Sequence, residues 1–119
     1  MEEKIRTFRD LRVWQKGITL VKEIYKITKD FPKEEQYGLT SQMKRASISI
    51  PSNLAEGFRR RYNKEHKQFL SIALGSCAEL ETQVVIAKEL SFLDENNEKI
   101  LLELLNHICG MIVNLDKKL

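Results

Sequence analysis

Apolar residues recur at three- and four-residue spacings along most of the chain, and no stretch keeps the period-two alternation of a half-buried strand. Leu11, Trp14, Ile18, Val21 and Tyr25 form the first such stripe, widened by Leu20, Ile24 and Ile27. Leu39, Met43, Ala46, Ile50, Leu54 and Phe58 form the second. Phe69, Ile72, Ala73, Ser76, Leu80, Val84 and Ala87 make the third, and Leu101, Leu104, Leu105, Ile108, Ile112, Leu115 and Leu119 the fourth. Breaks fall between them at Phe31-Pro32-Lys33, at Arg61-Tyr62-Asn63 and at Leu93 to Asn97. No Asn-Gly or Asp-Gly hairpin signal occurs.

The pattern predicts an all-α fold in one domain, residues 1–119, with helices over about 8–29, 38–60, 64–91 and 96–118. Short connections force successive helices to run antiparallel, so an up-down-up-down four-helix bundle is the simplest packing. Thr7 and Asp10 fit a capping box, with Asp10 alone as the alternative cap; Asn63 is placed to cap the third helix, and Asp94 or Asn96 the fourth. Pro51 lies inside the second pattern, where it predicts either a kink or a split at Ile50. Gly17, Gly75 and Gly110 also fall inside helices, at about 1 kcal/mol each relative to alanine, which points to close helix crossings.

Composition narrows the class. In 119 residues, 42% are hydrophobic and 31% charged, with 5 glycines, 2 prolines and 2 cysteines. These values exclude disordered, collagen-like and disulfide-scaffold readings. No run of about 18 uncharged apolar residues is present, and the segment MEEKIRTFRD lacks the apolar stretch of a secretory signal, so a cytoplasmic protein without a membrane partner is expected.

Catalytic chemistry finds no constellation. Cys77 and Cys109 belong to different helices, and His107 and Cys109 point about 200° apart on a helix, so no metal site is expected. No serine stands in a Gly-x-Ser-x-Gly turn, and the dispersed glycines form no phosphate-cradling loop. Glu79 and Glu81 diverge around their helix, and the acids near Asp94 match a helix N-terminal dipole. The expectation is a non-enzymatic protein with no cofactor.

Charge is the strongest chemical signal. The net charge of +3 hides an uneven distribution: residues 1–30 carry +3, 31–43 carry −1, 44–67 carry +5 and 68–119 carry −4. Arg59, Arg60, Arg61, Lys64 and Lys67, interleaved with Tyr62 and His66, supply phosphate-binding charge and stacking groups suited to RNA or DNA. Lys44 and Arg45 extend that patch or belong to an interface. Two other roles fit the same run: a solvated corner, with Glu56 pairing with Arg60 at i,i+4, or an oligomer contact.

These residues carry a resemblance. Phe8-x-Asp10-Leu11-x-x-Trp14-Gln15, Phe31-Pro32-x-Glu34-Glu35-x-Tyr37-Gly38-Leu39-Thr40-x-Gln42, Arg45-Ala46-x-x-Ser49-Ile50-Pro51-Ser52-Asn53-Leu54-Ala55-Glu56-Gly57 and Phe69-Leu70-x-Ile72-Ala73-x-Gly75-Ser76-x-x-Glu79-Leu80 carry it, and it covers about residues 7 to 119. Together they resemble the four-helix bundle proteins encoded in intervening sequences of bacterial 23S ribosomal RNA genes. The resemblance implies a homopentameric ring and a setting near ribosomal RNA, without implying a catalytic activity. Expected partners are therefore copies of the chain, ribosomal or other structured RNA, or DNA; an oligomeric adaptor that docks a protein partner is the alternative.

Within the motif Pro51 would shape the second helix, while Ser49, Ser52 and Ala55 keep side chains small where helices or subunits approach. Asn53 and Glu56 need polar partners where buried, and Arg45 is suited to pair with the carboxylate across a subunit boundary. Gly57 and Gly75 complete the set of structural residues.

Overall fold

The computed structural model describes residues 4–119. Its helices are α1 (Arg12–Thr28), α2 (Leu39–Phe58), α3 (Asn63–Glu89) and α4 (Glu95–Lys117), with single 3-10 turns at Phe8–Asp10 and Lys33–Glu35. Each helix packs on its chain neighbours and α1 closes the ring against α4, whereas among the described residues the diagonal pairs bring no Cα atoms within 8 Å of each other. This is the antiparallel bundle that the four stripes predict. The α2–α3 interface is the most extensive and α1–α4 the least.

Leu20, Ile24, Met43, Ile50, Leu54, Leu70, Leu80, Leu101, Leu105, Ile108 and Ile112 are fully buried. Burying one such side chain contributes about 1.5–3 kcal/mol, so this shared centre dominates the favourable side of folding. One 18-residue window of α3 reaches a mean hydropathy of 1.4, enough to cross a bilayer by composition. Its Leu70, Ala73, Cys77, Leu80 and Val84 instead form part of the bundle core.

In α1 the stripe through Leu11, Trp14, Ile18, Val21 and Tyr25 is not the core face. Val13, Gly17, Leu20, Ile24 and Thr28 point inward, leaving Ile18 and Tyr25 exposed. The packing of α2 selects that face. Helix α2 runs unbroken through Pro51 rather than splitting at Ile50. A Cβ on Gly17 would lie 3.3 Å from Pro51 Cβ, so the glycine admits the ring. Gly75 and Gly110 mark no such crossing, because a Cβ at either meets nothing within 4 Å.

The helix ends follow local chemistry. Thr7 and Asp10 form their capping box on the 3-10 turn ahead of α1: Arg9 N–H donates to Thr7 Oγ1 at 3.1 Å, and Thr7 N–H to Asp10 Oδ2 at 3.1 Å. Arg6 N–H adds a third bond at 2.8 Å, and these backbone donors hold the Asp10 carboxyl below the usual range. Asp94 Oδ1 caps α4 by accepting from Asn97 N–H at 2.7 Å. Asn63 does not cap α3. It is the first helical residue, and its amide reaches the Leu119 carbonyl at 3.4 Å.

Candidate nucleic-acid interface

Antiparallel topology gathers the start of α1, the end of α2, the start of α3 and the end of α4 at one end of the bundle. Two contacts tie that end together. Asn63 bonds the Leu119 carbonyl, and Lys67 Nζ donates to the Asp116 carbonyl at 3.2 Å while lying 3.7 Å from Asp116 Oδ2.

The α2–α3 corner carrying Arg59, Arg60 and Arg61 closes tightly because of Gly57. A Cβ there would lie 2.9 Å from both His66 Cδ2 and Phe69 Cβ. Arg59 N–H and Arg60 N–H bond back to the Ala55 and Gly57 carbonyls at 3.3 and 3.1 Å, finishing α2 as the chain turns. The Arg59 guanidinium lies over the Phe8 ring at 5.4 Å and that of Arg60 over Phe69 at 4.7 Å. These contacts hold both guanidinium groups in place and leave their charge intact. Arg61, Tyr62 and Lys64 face solvent.

Arg60 thus turns to Phe69, and Glu56 has no ion-pair partner within 4.0 Å among the described residues. Of the two stacking groups expected, Tyr62 is 62% exposed and suited to the role. His66 is buried, edge-on to Phe58 at 6.5 Å, and its Nε2 has no partner among the described residues. Burial pushes its pKa below the ordinary imidazole value, partly opposed by Asp116. A buried neutral ring cannot stack on a base.

Lys44 and Arg45 do not join this corner. Arg45 lies fourteen residues before Arg59 on the same helix, about 21 Å along its axis. Lys44 Nζ sits over the Tyr25 ring at 4.6 Å. Arg45 lines a polar groove between α2 and α3 with Gln42, Ser49, Ser76 and Glu79. In that seam the Ser49 and Ser76 hydroxyls are 2.8 Å apart, and the Asn53 amide donates to Ser49 O at 2.8 Å and Ser49 Oγ at 2.9 Å. The Asn53 NH2 group is therefore satisfied within its own helix, and Glu56 is exposed on the single chain. Ser52 faces solvent and Pro51 is buried against Gly17.

Cations that reading the middle segment alone does not find complete the basic end. Lys4, Arg6, Arg9 and Arg12 arrive from the start of the chain, and Lys117 and Lys118 from its last turn. Among the described residues they make, with Arg59, Arg60, Arg61, Lys64 and Lys67, eleven cations against the four acids Asp10, Glu56, Glu65 and Asp116. At the opposite end Asp30, Glu34, Glu35, Glu89, Asp94, Glu95 and Glu98 outnumber Lys26, Lys29, Lys33, Lys88 and Lys99 among the described residues. In the sequence these N-terminal cations stand out little, because Glu2, Glu3 and Asp10 leave residues 1–12 a net charge of only +1, and only the topology brings them beside the corner.

Among the described residues no three His, Cys, Asp or Glu side chains stand close enough to hold a metal ion. Cys77 is buried against α4, and burial, with the Cys109 thiol beside it, raises its pKa well above the usual thiol range. That makes it a poor nucleophile.

Fold and site together define a helical bundle with one strongly basic end. The model of the 23S rRNA-intervening sequence protein family matches residues 9–114, and the chain belongs to that family. Its fold is similar to the crystal structure of a protein of unknown function from the S23 ribosomal protein family of Bacteroides thetaiotaomicron VPI-5482. The two share 18% identity, with a TM-score of 0.79 over 88% of this chain and 98% of that one. No curated protein matches the chain.

Proposed function

We propose that this protein is a non-enzymatic, cytoplasmic nucleic-acid-binding bundle whose basic end engages the phosphate backbone of structured RNA. The observation that carries the reading is the collection of eleven cations from three separate parts of the sequence at one end, with acids in excess at the other. Such a field attracts a polyanion and orients it toward that end. The exposed Tyr62 ring offers a stacking surface within the same patch. Membership in a family associated with 23S rRNA intervening sequences supports RNA as the polyanion.

Fluorescence anisotropy with a structured RNA at several salt concentrations tests this. Phosphate contacts give a linear fall of log K with log salt, with a slope of about −0.7 per contact for single strands. Changing Arg59, Arg60 and Arg61 to Ala reduces the magnitude of that slope by about 2. Absence of binding at low salt, or an unchanged slope, would overturn the reading. It would shift support to a protein-docking adaptor.

A second surface favours self-association. Trp14, Ile18, Val21, Ile48, Pro51 and Ala55 line an apolar groove of about 280 Å³ between α1 and α2, with Ile18 and Ile48 exposed. In our reading this face joins copies of the chain into a ring, a pentamer, which would repeat the basic end and raise avidity for RNA. Native mass spectrometry at micromolar concentration tests it; a lone 13.9 kDa species would refute it.

A further inference from the structure

A second groove, of about 260 Å³, opens between the first turn of α1 and the last turns of α4. Its floor is apolar: Val13 is buried, and Leu11, Met111 and Leu115 are half-buried. Arg12, Lys118 and the Asn114 amide stand exposed at its rim. The opening exists because α1 and α4 form the least extensive interface of the bundle, so these apolar side chains are not closed over by the opposite helix.

The chemistry of the groove is selective. Its volume lies below the roughly 300–1,000 Å³ typical of pockets for drug-sized ligands, so it accommodates one flat ring system rather than a large molecule. The floor offers dispersion contact, and the Met111 thioether adds a favourable sulfur contact to an aromatic ring. Asn114 presents both a donor and an acceptor to a polar ring edge. The two rim cations continue into the basic end, so an anion attached to either side of the ring meets positive charge. Asn63 ties the adjoining corner to Leu119, which places exposed Tyr62 on the same end.

A flat apolar body with a hydrogen-bonding edge, flanked by anions, is a nucleotide within a strand. We propose that the α1–α4 groove takes one unpaired base of the bound RNA while the basic end holds the neighbouring phosphates. The inference rests on the backbone-binding reading above and deepens it: the ligand is RNA with an unpaired loop or bulge, because a base inside a duplex is already stacked and cannot enter.

The test compares two RNAs of equal length and charge, a hairpin with an unpaired loop and a fully paired duplex, by anisotropy at fixed salt. The loop RNA is expected to bind roughly 5- to 150-fold more tightly, the range set by one stacked base. Asn114→Ala and Lys118→Ala alter exposed residues, leave the fold intact and reduce that preference. A 4-thiouridine in the loop, photo-crosslinked to the wild-type protein, is expected to attach at Met111 or Leu115. Equal affinity for both RNAs, still lost in the triple arginine variant, overturns the groove and leaves backbone binding standing. A crosslink confined to Tyr62 does the same. Binding of neither RNA overturns both readings, and occupation of the groove by an acidic amphipathic peptide that RNA does not displace overturns the base site.

Discussion

Replacing Gly57 with Ala and, separately, Gly75 with Ala makes the same chemical change at two helical positions with opposite surroundings. Each removes the entropic cost of a helical glycine, a gain of up to about 1 kcal/mol. At Gly57 the new Cβ falls 2.9 Å from His66 Cδ2 and Phe69 Cβ and 3.3 Å from the His66 carbonyl oxygen. Phe69 Cβ is bonded directly to the backbone, so no rotamer change moves it aside. The start of α3 must shift away from α2, and overpacking of this kind costs about 1–3 kcal/mol. At Gly75 the added carbon meets nothing within 4 Å. The propensity gain largely cancels between the two variants, so their difference isolates the steric cost. Gly57→Ala is expected to be less stable than Gly75→Ala by about 1–3 kcal/mol, with Gly75→Ala more stable than the parent. At roughly 4 °C per kcal/mol for a chain of this size, the melting temperatures separate by about 4–12 °C. Thermal and urea unfolding followed by far-ultraviolet circular dichroism, at one protein concentration, measures this. Equal shifts for the two variants, or a more stable Gly57→Ala, would refute the close approach at the corner.

Two further outcomes follow from the same geometry. His66 is held neutral by burial, so the unfolded chain binds the extra proton. Its contribution to stability is complete above the ordinary imidazole pKa of about 6.5 and declines as pH falls toward the lowered folded value. Urea midpoints at pH 7.5 and 5.5 should fall with pH in the wild type and less in His66→Gln; parallel behaviour refutes the assignment. Ser91 has φ 62° and follows α3, where its N–H bonds the Lys88 carbonyl at 3.0 Å and Phe92 N–H bonds that of Ala87 at 2.9 Å. A left-handed residue with a side chain costs about 1–2 kcal/mol, so Ser91→Gly is expected to raise stability by about 1 kcal/mol in urea denaturation.

Much of the architecture is legible in spacing. The second stripe matches the buried face of α2 closely, since Met43, Ala46, Ile50 and Leu54 sit at helical intervals with few apolar competitors, and in α4 the buried Leu101, Leu105, Ile108 and Ile112 all lie within the fourth stripe. In α1 apolar residues occupy more than half the circumference, and periodicity alone could not choose between the Trp14–Ile18–Val21 face and the Val13–Leu20–Ile24 face. The approach of Pro51 to Gly17 decides it, and that approach is a property of two helices. Likewise Asn63 looks like a cap in sequence, but its amide turns to Leu119, fifty-six residues away.

The candidate site divides along the same line. The cluster from Arg59 to Lys67 and the solvent-facing Tyr62 could be read locally, because a charged run between two amphipathic stripes stays at the surface whatever the packing. The burial of His66, the separation of Lys44 and Arg45 from the corner, and the recruitment of Arg6, Arg9, Arg12, Lys117 and Lys118 to it are tertiary facts. So is the groove between Leu11 and Leu115, whose walls lie at opposite ends of the chain. By itself the sequence determined four amphipathic helices, their antiparallel order and a basic corner, because those depend on spacing, loop length and local charge. Only the folded bundle decided that three distant basic stretches share one end and that acids collect at the other, because antiparallel packing joins the start of α1 to the end of α4.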